Sequence, residues 1–90
     1  MEVYISFLTP KNSSQEAFEH VKGLNKFFME EVQTRGYSLT LDPLESDIML
    51  MLPTWEDDKE CLDEYNAFKQ EKMIVTNLNA LDEVMRDSCQ

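Results

Sequence analysis

The residues best suited to chemistry lie together. Glu56, Asp57, Asp58, Glu60, Asp63 and Glu64 place six carboxylates within nine positions. In the first turn of a helix, acidic residues offset the positive end of the dipole, by about 0.3–1 kcal/mol each. They also make a negative face suited to a basic partner. Other chemical constellations are missing from the sequence. His20, the single histidine, sits beside Glu19 with no Cys or His at ligand spacing, so no metal site is expected. There is no Ser-His-Asp set, no Gly-rich phosphate loop and no Cys-x-x-Cys pair, and no cofactor is expected. Cys61 falls in a helical pattern and Cys89 is penultimate; both read as reduced thiols of a cytoplasmic protein.

Eighteen acidic residues face eight basic ones, a net charge of −10. Such an excess repels phosphate backbones, so direct nucleic-acid binding is excluded, and so is attraction to an anionic membrane. Two readings of the charge remain, a solvated soluble surface or a face that docks on a basic protein, even one that normally holds DNA. No apolar run reaches the roughly 18 residues of a membrane span. The start, Met-Glu-Val-Tyr-Ile, has no basic region before an apolar stretch and is not a secretory signal. Ninety residues, 42% of them hydrophobic, fit a single domain over 1–90. A chain of that size buries only about 60–65% of its unfolded surface.

The carboxylates need a scaffold, and the apolar pattern supplies one. Residues 3–8 (Val-Tyr-Ile-Ser-Phe-Leu) are β-branched and aromatic and end at Thr9-Pro10, as in a buried parallel strand. Asn12-Ser13-Ser14 offers N-caps, and Ser13 with Glu16 fits a capping box. Ala17, Val21, Leu24, Phe28 and Val32 then recur every three or four residues. They give one face of a long helix, widened by Phe18 and Phe27 and closed by Gly36 at C′. Residues 37–41 read as a short, less buried strand stopped by Asp42-Pro43. Residues 47–52 are the most continuous apolar run and the expected central strand.

Pro53-Thr54-Trp55 ends that strand, and Glu56-Asp57-Asp58 opens a second helix with Leu62, Tyr65, Ala67 and Phe68 inward. Residues 73–76 give a fourth strand, and 78–85 a last helix with Leu78, Leu81 and Met85 inward. The order β-α-β-β-α-β-α predicts a small three-layer α/β sandwich of flavodoxin or Rossmann type, with a mostly parallel four-stranded sheet. Only residues 42–46 separate the second and third strands, against the roughly ten that a crossover between parallel neighbours needs. Either those strands are antiparallel neighbours, or they are not adjacent and the loop crosses one end of the sheet.

Several short pieces come in a recognisable order. They are Met1-Glu2-Val3-Tyr4-Ile5-Ser6, Gly36-Tyr37 followed by Asp42-Pro43, residues 46–55 (Ser-Asp-Ile-Met-Leu-Met-Leu-Pro-Thr-Trp), and Glu64. In them the chain resembles the nucleoside 2-deoxyribosyltransferase-like family, small α/β proteins with many short bacterial and phage members. The resemblance covers most of the chain. It implies that Glu64 is the nucleophile, attacking the sugar carbon that bears the base to form a covalent glycosyl intermediate. It implies a nucleoside or nucleotide ligand at the carboxyl ends of the strands. On the same ground Phe7, Leu8, Thr9, Thr54, Trp55, Asp58 and Asn77 line the site, with Trp55 stacked on a base. Relatives complete their sites across subunits, which implies a homodimer.

The chain departs from the family at three places. Phe7-Leu8 stands where the family has Gly-Pro, filling space that a ligand's backbone contacts use. Asp58 and Glu60 replace small residues, adding two negative charges where a phosphate or sugar would sit. The helix-length segment between the second and third strands is missing. Together these imply a trimmed, non-catalytic member that binds a nucleoside or nucleotide. The alternative is an acidic interaction module, such as a phage-encoded inhibitor of a basic host protein with a nucleic-acid-binding or defence role. An isolated helical carboxylate such as Glu64 also reads as plainly solvated, and Glu64→Ala then changes stability by less than about 0.5 kcal/mol. Trp55 also reads as a lid over the core, and Met49 and Met51 as adaptable packing.

Overall fold

A computed structural model of the chain describes residues 1–10 and 14–88. Four strands, β1 (Glu2–Ser6), β2 (Ser38–Leu39), β3 (Ile48–Met51) and β4 (Met73–Val75), form one parallel sheet in the order β2-β1-β3-β4. Three helices accompany it: α1 (Gln15–Thr34), α2 (Lys59–Phe68) and α3 (Leu78–Ser88). α1 carries the chain from β1 outward to β2, and α2 carries it from β3 outward to β4. The two crossovers leave the sheet centre in opposite directions, so their common right-handedness puts α1 and α2 on opposite faces. α3 returns to the α1 side, where Asp82 accepts hydrogen bonds from Arg35 and Tyr37. This is the three-layer α/β sandwich that the element order predicts.

β3 earns its central place by composition: Ile48, Met49, Leu50 and Met51 are all fully buried. A strand between two neighbours and two helical layers must be apolar on both faces. Val3 and Ile5 of β1, Val32 of α1, and Leu81 and Met85 of α3 join it in the core.

The register explains how β2 reaches β3 in so few residues. Val3 pairs with Leu39 on one side and with Ile48 on the other. The connection therefore starts and ends level with the same residue of β1. It spans two strand spacings of about 4.8 Å each, with no need to climb the sheet. The strands are not neighbours, and the loop crosses the N-terminal end of β1 through a 3-10 turn at Pro43–Glu45. β2 is two residues long rather than the five of residues 37–41, pairing with Glu2 and Val3 alone before the chain leaves the sheet.

Ser14 caps α1, accepting from the Ala17 amide at 3.1 Å; the expected Ser13 cap lies outside the described residues, as does Cys89. Gly36, at φ 78°, takes the C′ position as the sequence implies. Val21, Leu24, Phe28 and Val32 of the stripe pack on the core, while Ala17 and Phe18 are partly buried outside it and Phe27 is half exposed, meeting Phe28 edge-on at 5.3 Å. Two further expectations are corrected in α2. The run Glu56-Asp57-Asp58 does not open it; Trp55–Asp57 makes one 3-10 turn and Asp58 caps the helix. Leu62 and Ala67 are exposed, because the inner face is set by Cys61, Tyr65 and Phe68 at spacings of four and three.

Candidate functional site

β1 alternates its faces, so Val3 and Ile5 point to α1 while Tyr4 and Ser6 point to α2. Those two hydroxyls meet Glu64. The Tyr4 hydroxyl donates to Glu64 Oε2, and Ser6 Oγ donates to Oε1 at 2.9 Å. Glu64 is therefore not a solvated helix residue. It is partly buried, with both oxygens oriented by the sheet. Burial, and then the hydrogen bond and charge of Glu64, push the Tyr4 phenol well above its ordinary range. Tyr4 thus stays a neutral donor throughout physiological pH. A carboxylate offers about four acceptor positions, so two remain for a ligand. α2 crosses from β3 to β4, and among the described residues no helix covers the β1–β2 side of that face. Tyr4 and Glu64 keep part of their surface in solvent along this open flank.

The carboxyl ends of β1 and β3 form the switch point of the sheet, the usual ligand crevice of such folds. Here it carries its own anion. Asp58 is almost fully buried. Its Oδ2 accepts from the Thr9 amide at 2.6 Å, and its Oδ1 from the amides of Glu60 at 3.0 Å and Cys61 at 3.3 Å. The Thr9 hydroxyl bonds Asp58 and also Glu60, at 3.3 and 2.8 Å. Burial pushes the Asp58 carboxyl up, but the amides of Thr9, Cys61 and Glu60 outweigh it and hold the group below its ordinary value. Those amides are the donors that a phosphate would use at a helix N-terminus. Asp58 already occupies them.

A cavity of about 260 Å³ remains beside this knot, lined by Leu8, Thr9, Val21, Thr54, Asp57 and Asp58. A second hollow, of about 340 Å³, shares Thr9, Asp57 and Asp58 and adds Lys59 and Glu60, so the two fall either side of the roughly 300 Å³ where ligand pockets usually begin. Thr54 stands by the first at φ 68°, a left-handed conformation that β-branched residues rarely take. Phe7 faces a separate groove with Leu8, Pro10, Lys22, Asn25 and Met29. Asn25 clasps the backbone of Leu8 there, accepting from its amide and donating to its carbonyl, both at 2.9 Å.

The residues expected from the sequence thus divide. Thr9, Thr54 and Asp58 come together at the switch point. Trp55 packs on Tyr65 with ring centres 4.8 Å apart, so it covers the core edge and keeps only part of its surface for another ring. Asn77 is apart from them all, spent on capping α3 through the Ala80 amide at 2.7 Å. Glu64 sits nearly two turns along α2 from Asp58, over the carboxyl half of β1, where Tyr4 and the strand's last residue, Ser6, both reach it. Cys61, between them, is buried with its Sγ 3.3 Å from the Phe7 carbonyl, and burial pushes its thiol up, so it is inert.

Sequence reasoning missed Tyr4 and Ser6 as the partners of Glu64. The signal was present: two polar-tipped residues at i and i+2 interrupt an otherwise apolar strand, so they share one face. Among the described residues no cluster of His, Cys, Asp and Glu is arranged to hold a metal, and no helix is long and apolar enough to cross a membrane. No protein-family model, curated protein or solved structure matches the chain.

Proposed function

We propose that this chain binds an unphosphorylated nucleoside through its sugar, as a trimmed relative of the deoxyribosyltransferases in which glycosidic cleavage is slow or lost. The observation that carries the reading is the Glu64 carboxylate, held on both oxygens by Tyr4 and Ser6 and still partly open to solvent. A carboxylate fixed in this way, with acceptor positions to spare, suits the hydroxyls of a sugar. It is also the residue to which the resemblance gives the nucleophile's role. The two hydroxyl bonds spread its charge and weaken it as a nucleophile, which favours binding over turnover.

Asp58 supports the choice of a nucleoside over a nucleotide. Its charge takes the Thr9 and α2 amides, and Glu60 adds a second charge at Thr9. A phosphate approaching the switch point meets these charges and finds the amides of Thr9, Glu60 and Cys61 already taken. The test is a thermal-shift panel of deoxynucleosides and their 5′-monophosphates, with Glu64→Gln beside the wild type. Deoxynucleosides should raise the wild-type melting temperature and leave the variant unmoved, while chromatography detects little or no free base. A panel with no nucleoside-dependent shift contradicts the reading, and rapid base release overturns the non-catalytic part.

A further inference from the structure

The most telling feature outside the Glu64 flank lies at the opposite end of the sheet. In the connection between β2 and β3, Leu41 is 87% exposed and Leu44 is 70% exposed. The backbone that carries them is tied down. Asp42 Oδ1 accepts from the Leu44 amide at 3.0 Å, and Pro43 fixes the start of the 3-10 turn. Ser46 Oγ donates to the Pro43 carbonyl at 2.7 Å. Lys72 reaches across from the start of β4, its Nζ donating to the carbonyls of Leu44 and Ser46 at 3.0 and 2.5 Å. Met73, next to Lys72, and Met1, next to β1, are about half exposed at the same end. The exposed charged side chains flanking the two leucines, Asp42, Glu45 and Asp47, are all acidic, while the partly buried Lys72 ammonium is held on the loop's carbonyls.

We propose that this loop is the anchor for a basic protein partner, with Leu41 and Leu44 entering an apolar groove and Asp42, Glu45 and Asp47 meeting Lys or Arg at its rim. An apolar centre with a charged rim is the usual anatomy of a protein interface. A loop already fixed by its own hydrogen bonds loses little further freedom on binding. The charge selects the occupant. A symmetric contact with a second copy sets the same acidic rims of two −10 chains against each other. Anionic membranes and nucleic acids are repelled for the same reason. The proposal is independent of the nucleoside reading, because the two sites sit at opposite ends of β1.

The test uses a synthetic amphipathic helical peptide of leucine and lysine, with a lysine-only peptide of equal charge beside it. Each is titrated into the isotope-labelled protein and followed by amide chemical shifts. The amphipathic peptide should shift residues 41–47 most, and the lysine-only peptide should bind more weakly and be released by salt. The double variant Leu41→Ser/Leu44→Ser keeps the charge and changes only exposed side chains, so it should fold normally. It should bind the amphipathic peptide about tenfold more weakly, or worse. Unchanged affinity in the double variant overturns the proposal, as do shifts centred on residues 56–64. So does a wild-type dimer in sedimentation that the double variant dissolves, which would make a second copy the occupant.

Discussion

Removing the Glu64 carboxylate strands two hydroxyls. Tyr4 and Ser6 lose their acceptor in a partly buried site, so Glu64→Ala should destabilise the fold by about 1–3 kcal/mol, well above the change expected for a solvated residue. Urea melts of the variant and the wild type measure this directly; a difference within a few tenths would mean that the two hydroxyl bonds contribute nothing. Asp58 makes a prediction with a pH signature. Its folded value is depressed, so its contribution is fully present above the ordinary aspartate value of about 3.9 and is lost as pH falls through the lower folded value. Asp58→Asn keeps a capping oxygen for the Glu60 and Cys61 amides but sets an NH2 against the Thr9 amide, so it should lower stability near neutrality by about 1–3 kcal/mol and flatten the acid-side slope. Melts across the acid range that show the same slope in both proteins would contradict this. Asp58 was legible in the sequence as a helix-start acid, but its role as a built-in anion was not, because Thr9 lies 49 positions away.

At the scale of elements, the strands and helices were readable because their apolar periods are clean, and the β2–β3 connection was not. Its length forbade a crossover between neighbours, and only the shared pairing of Val3 shows why eight intervening residues suffice. The turn after β3 makes the sharpest prediction here. Thr54 is β-branched, exposed, left-handed and makes no capping hydrogen bond with its side chain. The left-handed conformation costs an L-residue about 1–2 kcal/mol, and glycine returns roughly half of that through the freedom it gains when unfolded. Thr54→Gly should therefore stabilise the protein by about 0.5–1 kcal/mol. Thermal melts showing a loss instead would mean that the Thr54 side chain is held by a contact worth more than the strain.

For the whole molecule, one acidic domain presents two unlike ends. The carboxyl end of the sheet is closed on itself by Asp58, with Glu64 held open on the flank, while the amino end displays two leucines on a braced loop. The α/β class was legible from the order of elements. The division between the ends was not, because it depends on which residues β1 brings level with each other. The net charge of −10 acts on both ends: on the proposed readings it turns phosphates away from one and selects a basic surface for the other. The central claim concerns the first end and reduces to one comparison. In calorimetric titrations, the wild type should bind a deoxynucleoside saturably, bind its 5′-monophosphate about tenfold more weakly or worse, and lose nucleoside binding on Glu64→Gln. A wild type that takes the monophosphate as well as the nucleoside, or binding that survives Glu64→Gln unchanged, would contradict it.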